Sequence, residues 1–110
     1  MFDELDQDTG VKPASIAELT ARIRASLEAD FGRVWVEGEI SNWTVANSGH
    51  AYFALKDERA LLGAVMWRSS LARAKVAFKD GDMVEARGRI SVYERRGQYQ
   101  LVVDSLKPVG

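Results

Sequence analysis

The sequence predicts a mainly β domain: a five-stranded barrel with a helix ahead of its first strand and a short helix between its third and fourth. Three observations carry this. Apolar residues recur at spacings of three and four between Ser15 and Phe31, then at spacings of two in five runs separated by turn residues. Gly38 and Gly88 stand inside long runs, where a small barrel has to coil sharply. The chain of 110 residues is enough for one core and too short for two ordinary domains.

Residues 1–14 lack periodicity and carry Asp3, Glu4, Asp6 and Asp8, which predicts a flexible acidic tail ahead of a domain spanning 15–110. Ser15 and Glu18 form a capping-box pattern, and Ile16, Leu19, Ile23 and Leu27 make one apolar stripe, so a helix is expected over about 15–31. Gly32 suits the left-handed position after it. The first strand follows, with Val34, Val36, Gly38 and Ile40 inward and Trp35, Glu37 and Glu39 outward. Trp35 is expected to meet the first helix. SNWTVANSG then reads as a loop. The second strand, GHAYFALKD, turns Ala51, Phe53 and Leu55 to the core and His50, Tyr52, Ala54 and Lys56 outward. Asp57-Glu58-Arg59 is a turn and Leu61–Trp67 the third strand. Ser69 or Ser70 is expected to cap a short helix bearing Leu71, Ala74 and Phe78, ended by Asp80-Gly81. Met83–Tyr93 and Gln98–Leu106 are the fourth and fifth strands, joined by Glu94-Arg95-Arg96-Gly97. Five strands with a helix between the third and fourth is the order of an OB-fold. An SH3-like barrel lacks that helix, and a ferredoxin-like sheet needs one between its first two strands.

Composition narrows the function. With no cysteine and one histidine, disulfides, thiolate chemistry and zinc-type metal clusters are excluded, and no cofactor is expected. No apolar stretch approaches the roughly 20 residues that span a bilayer, and the acidic start is unlike a secretory signal, so a cytoplasmic protein with no membrane partner is expected. Net charge is −1, which argues against coating nucleic acid by bulk attraction. The charge is uneven: residues 1–30 hold seven carboxylates against three cations, and the remainder twelve cations against nine carboxylates. No nucleophile elbow or phosphate-cradling glycine loop occurs. Glu37 and Glu39 are expected to pair across strands with Arg87 and Arg89 rather than to catalyse, which also sets those arginines aside as nucleic-acid contacts. The fragment itself is not expected to be an enzyme.

Binding has better candidates, because single strands are held by rings under the bases and cations beside the phosphates. Trp43 in the first loop, His50, Tyr52 and Lys56 on the second strand, Trp67 and Arg68 after the third, and Tyr93, Arg95, Arg96 and Tyr99 around the last hairpin are those candidates. Each has a plainer alternative. Trp43 would plug one barrel end, and Tyr52 would serve β-propensity alone. His50 would cap a loop, Lys56 would pair with Asp57 or Glu58, and Trp67 would pack under the short helix. Tyr99 would face inward with Leu101 and Val103, and Arg95 and Arg96 would be solubilising turn charges. A protein-interaction OB module, with weak self-association, and an RNA-binding module of anticodon type remain as alternatives.

VWVEGEISNW, SGHAYFALKDE, AVMWR and VYERRGQYQLVV, in this order and spacing, resemble the N-terminal domain of the exodeoxyribonuclease VII large-subunit family over about Ser15–Pro108. The resemblance implies an OB-fold that binds single-stranded DNA through the segment around Trp43, through GHAYFALK and through the Arg95-Arg96 hairpin. It further implies a complete large subunit that joins several copies of a small helical subunit and hydrolyses single strands to oligonucleotides without requiring a divalent metal. The family's nuclease region, and the region through which the small subunit is engaged, fall beyond Gly110, so no catalytic residue is carried over.

Overall fold

The computed structural model describes residues 12–110; most of the expected acidic tail lies outside them, and residues 12–14 have no regular structure. The elements are α1 (Ile16–Asp30), β1 (Val34–Val45), β2 (Ala51–Lys56), β3 (Leu61–Met66), α2 (Arg68–Ala74), β4 (Met83–Tyr93) and β5 (Gln98–Pro108). The strands close into a barrel in the order β1-β2-β3-β5-β4, in which β3 and β5 run parallel and the other neighbours antiparallel. This is the expected OB-fold, with both helices where the sequence placed them.

α1 starts as its residues require. Ser15 Oγ accepts from the Glu18 amide at 3.0 Å while Glu18 Oε1 accepts from the Ser15 amide at 3.4 Å. Its apolar stripe is largely uncovered, with Leu27 packed on the barrel but Ile16 80% exposed and Leu19 and Ile23 each 46% exposed. Among the described elements the helix packs mainly on the far end of β4, where the Phe31 carbonyl accepts from the Ile90 amide at 2.9 Å and Arg24 pairs with Glu94 just beyond the strand. Gly32 is not left-handed as expected; a Cβ there would lie 2.9 Å from the Glu28 carbonyl oxygen, so close approach is what requires glycine.

β1 runs through the segment expected to be a loop. Asn42 takes a left-handed φ of 57°, and the β1–β2 register shifts between Ser41 and Thr44. This bulge inverts the alternation, returning Trp43 to the inside and leaving Thr44 opposite Tyr52. A second shift, opposite Gly88, leaves Asp104 unpaired in β5, so Val103 and Leu106 both point inward and the strand continues to Pro108. The core gathers Ile40, Phe53, Leu55, Met66, Phe78, Val84, Leu101 and Val103. Ala54, at an outward position, is buried nonetheless: its methyl is too short to rise between Ser41 and Gly63 on the flanking strands.

α2 departs from the sequence reading at both ends. Trp67, not a serine, is its N-cap residue, Ser70 is buried within it and accepts from Arg73 at 3.2 Å, and left-handed Lys75 ends it. Phe78 therefore enters the core from the connection to β4.

Candidate nucleic-acid interface

The candidate residues fall into three groups: one at a barrel end, one on the outer side of β2 and one at the β4–β5 hairpin. The first group closes the barrel at the end where β1 turns into β2. The Trp43 ring lies 4.9 Å from that of Phe53 and 5.8 Å from that of Phe78, and the Trp43 amide donates to Asp80 Oδ1 at 2.7 Å. Half-buried in β1 rather than displayed on a loop, Trp43 is packed as a plug. His50, in the connection just before β2 and not in the strand where the sequence placed it, accepts at Nδ1 from the Arg68 amide at 2.9 Å and so supplies the cap that Trp67 lacks. Its ring meets Trp67 edge-on at 4.9 Å. Gly49, at φ +88°, makes room for Arg68, whose Cδ would lie 2.8 Å from any Cβ there. These residues tie the β1–β2 connection to α2.

The second group lies on the outer wall. Strand register aligns Thr44, Tyr52, Val65, Val102 and Arg89 in one row crossing β1, β2, β3, β5 and β4. Tyr52 is 46% exposed. Lys56, further along β2, reaches Glu39 at 3.7 Å rather than Asp57 or Glu58.

The third group is the β4–β5 hairpin. Tyr93 shares the outward side of β4 with Arg89, and the Arg96 guanidinium lies 6.0 Å from the centre of its ring. Arg95 is exposed beside it. Tyr99 has the inward parity expected of it, opposite Val92, yet is 60% exposed. The barrel mouth here is open: an apolar groove of about 650 Å³ separates α1 from the wall, bounded by Leu27, Phe31, Ile90 and Tyr99.

The expected pairing of Glu37 and Glu39 with Arg87 and Arg89 does not form. Register sets Glu37 opposite Glu85 and Trp35 opposite Arg87. Trp35 does not meet α1; its Nε1 donates to Glu85 at 2.8 Å and Arg87 lies over its ring at 4.4 Å. Arg89 has no ion-pair partner among the described residues and becomes a candidate the sequence reading had set aside. The signal was available, since counting by twos from Tyr93 puts Arg89 on the same side of the strand.

Two carboxylates are held below the usual aspartate range. Asp57 accepts from the amides of Arg59 and Ala60, which stabilise its anion and close the β2–β3 turn. Asp82 accepts from the Lys79 ammonium and amide. A lowered folded-state pKa means that the stabilisation is present above about pH 4 and lost as pH falls through the lowered value. Thermal melts are therefore expected to separate Asp57→Ala from the parent at pH 6 and to bring the two together near pH 2.

The profile of the family described as OB-fold nucleic acid binding domain matches residues 14–107. Among curated proteins, the chain is 49% identical over 96 residues to the exodeoxyribonuclease 7 large subunit of Geotalea daltonii, covering 87% of this chain and 22% of that protein. It is 46% identical over 96 residues to that of Pseudomonas savastanoi pv. phaseolicola, with 87% and 21% covered. With that of Rickettsia canadensis it shares 41% over 110 residues, with 100% and 25% covered. The chain thus spans about a fifth to a quarter of the length of these relatives. Among solved structures, asparaginyl-tRNA synthetase from Pyrococcus horikoshii superposes with a TM-score of 0.59 at 16% identity, over 76% of this chain and 21% of that one. A replication protein A heterotrimer bound to ssDNA gives 0.59 at 10% identity, over 72% and 58%.

Proposed function

Because this chain belongs to the OB-fold nucleic acid binding domain family, we propose that it binds single-stranded DNA on the outer wall formed by β2, β3, β5 and β4. The observation that supports this most is the set of free rings and cations: exposed Tyr52 on β2, and exposed Tyr93 with Arg96 and Arg95 at the β4–β5 hairpin. Flat rings take bases by stacking, each worth about 1–3 kcal/mol, and guanidinium groups take the phosphates between them. Lys56 adds a cation at the edge. Trp43, His50, Trp67 and Arg68 shape the barrel end in this reading and do not touch the strand. The site is shallow and holds on the order of four nucleotides, so affinity is modest and falls steeply with salt.

The curated relatives extend the proposal to the longer protein. The domain holds a single strand for the nuclease region of an exodeoxyribonuclease VII large subunit, which degrades it to oligonucleotides in the bacterial cytoplasm. The small subunit engages the part of the large subunit outside these residues. One observation favours a second reading as a protein-docking module: the uncovered Ile16, Leu19 and Ile23 on α1.

Fluorescence anisotropy of labelled oligo-dT at low salt tests the first reading. The chain is expected to bind, and Arg95→Glu with Arg96→Glu to weaken binding at least tenfold with an unchanged circular dichroism spectrum. Preference for oligo-U over oligo-dT would move the assignment to RNA. Indifference to both, with dimers in light scattering, would move it to protein docking.

A further inference from the structure

The stripe of α1 and the groove at the barrel mouth form one continuous apolar surface, uncovered among the described residues. Leu27 and Phe31 line the groove, and Ile23, Leu19 and Ile16 carry the stripe from Leu27 towards the start of the helix, a turn at a time. On the barrel side of the groove stand Leu61 and Tyr99, both more than half exposed. Cations flank this surface. The Arg24–Glu94 pair fixes the tip of the β4–β5 hairpin beside the middle of α1, so Arg95 and Arg96 lie along one edge. Arg22 lies on the other side of the stripe, next to Ile23. None of Arg22, Arg95 and Arg96 has an ion-pair partner among the described residues. An apolar surface edged by free cations fits a segment whose apolar residues stand among carboxylates. Residues 1–11, which precede the described part of the structure, have that composition. Phe2 and Leu5 are set among Asp3, Glu4, Asp6 and Asp8, with no cation.

We infer that residues 1–11 fold back along α1, with Leu5 on Leu19 and Ile23, Phe2 in the groove against Leu27 and Tyr99, and the carboxylates between them facing Arg95 and Arg96. Attachment and length both allow it. The segment enters beside the stripe, since the N-cap of α1 is Ser15, and Asp8-Thr9-Gly10 carries turn chemistry for a reversal just ahead of the helix. The helix rises about 18 Å from Ser15 to Leu27, whereas extended chain from Gly10 back to Phe2 reaches about 26 Å. Being tethered, the segment meets the groove at an effective concentration on the order of millimolar, so a weak contact suffices to fill it. The DNA-binding reading does not depend on this contact.

The chain has no cysteine, so Gln7→Cys in the full 110 residues supplies a single thiol for a nitroxide label, and amide NMR spectra read where the label goes. Signals of Ile23, Leu62 and Tyr99 are expected to lose most of their intensity to the nitroxide. They are expected to recover it when Phe2→Ser and Leu5→Ser are added, with the rest of the spectrum unchanged because neither residue belongs to the barrel. Broadening confined to the first turn of α1 would overturn the inference, and so would broadening at Tyr99 and Leu62 that persists in the doubly substituted chain. A mixed sample identifies the occupant. An isotope-labelled chain without nitroxide, mixed with an unlabelled chain that carries it, is expected to show no broadening at these residues. Broadening there would put a second copy in the groove, and the assignment to residues 1–11 would fall.

Discussion

Replacing Gly88 with alanine is expected to cost at least about 3 kcal/mol, a large fraction of a small domain's stability. A Cβ on Gly88 would lie 2.0 Å from the carbonyl oxygen of Val102 and 2.9 Å from its carbon. Both are backbone atoms of β5, so no rotamer change relieves the overlap. Moving β5 would disturb the bulge at Asp104, and with it the alternation that turns both Val103 and Leu106 inward. Urea denaturation followed by circular dichroism measures the effect. Gly63→Ala, where the added methyl meets nothing, is the matched control and is expected to leave the midpoint unchanged or raised.

Trp43→Ala is expected to be the second largest loss, about 3–4 kcal/mol in the same denaturation. The ring packs on Phe53 and Phe78 and closes one end of the barrel, and truncation leaves a cavity that neither neighbour can fill. Trp43→Phe should restore part of the stability. From the sequence, Trp43 was a loop residue with two readings, a ring for a base or a plug for one barrel end. The packing supports the second: stability is lost first, and binding falls only as the folded fraction falls.

Trp43 also shows where the sequence stops being legible. The helix over 16–30, its capping box, the five strands and their closure order follow from residue spacing and local chemistry. The inward and outward faces of β1 as far as Ile40 follow as well. Past that point the left-handed Asn42 inserts a residue and inverts the count, and a bulge leaves no mark on a two-residue period. The cap of α2 was hidden for a different reason. Its acceptor, His50, is 18 residues away in sequence, whereas local capping rules point to the nearby serines. Arg87 and Arg89 were misassigned because strand adjacency was foreseen and register was not. The register sets Glu37 against Glu85 and ends at Val34 opposite Gly88, which leaves Arg89 beyond the reach of β1. The uncovered stripe of α1 cannot be told from a covered one in sequence, since both carry the same spacing.

The wall itself was half visible. Tyr52, Lys56, Tyr93, Arg95 and Arg96 were named from residue type and position, and the structure leaves all five exposed. The aromatic cluster at the α2 end, named on the same grounds, is occupied with internal contacts. Residue type identifies rings and cations; only register and packing say which are free to meet a ligand.

The most direct measurement is the dissociation constant of Tyr52→Ala for labelled oligo-dT at low salt, beside the parent chain and with melting as a control. Tyr52 is solvent-facing and packs into no core cluster, so folding is expected to be unaffected. Loss of one stacked base should weaken binding about 5- to 150-fold. Parental affinity in a folded Tyr52→Ala chain would contradict the placement of the strand on this wall.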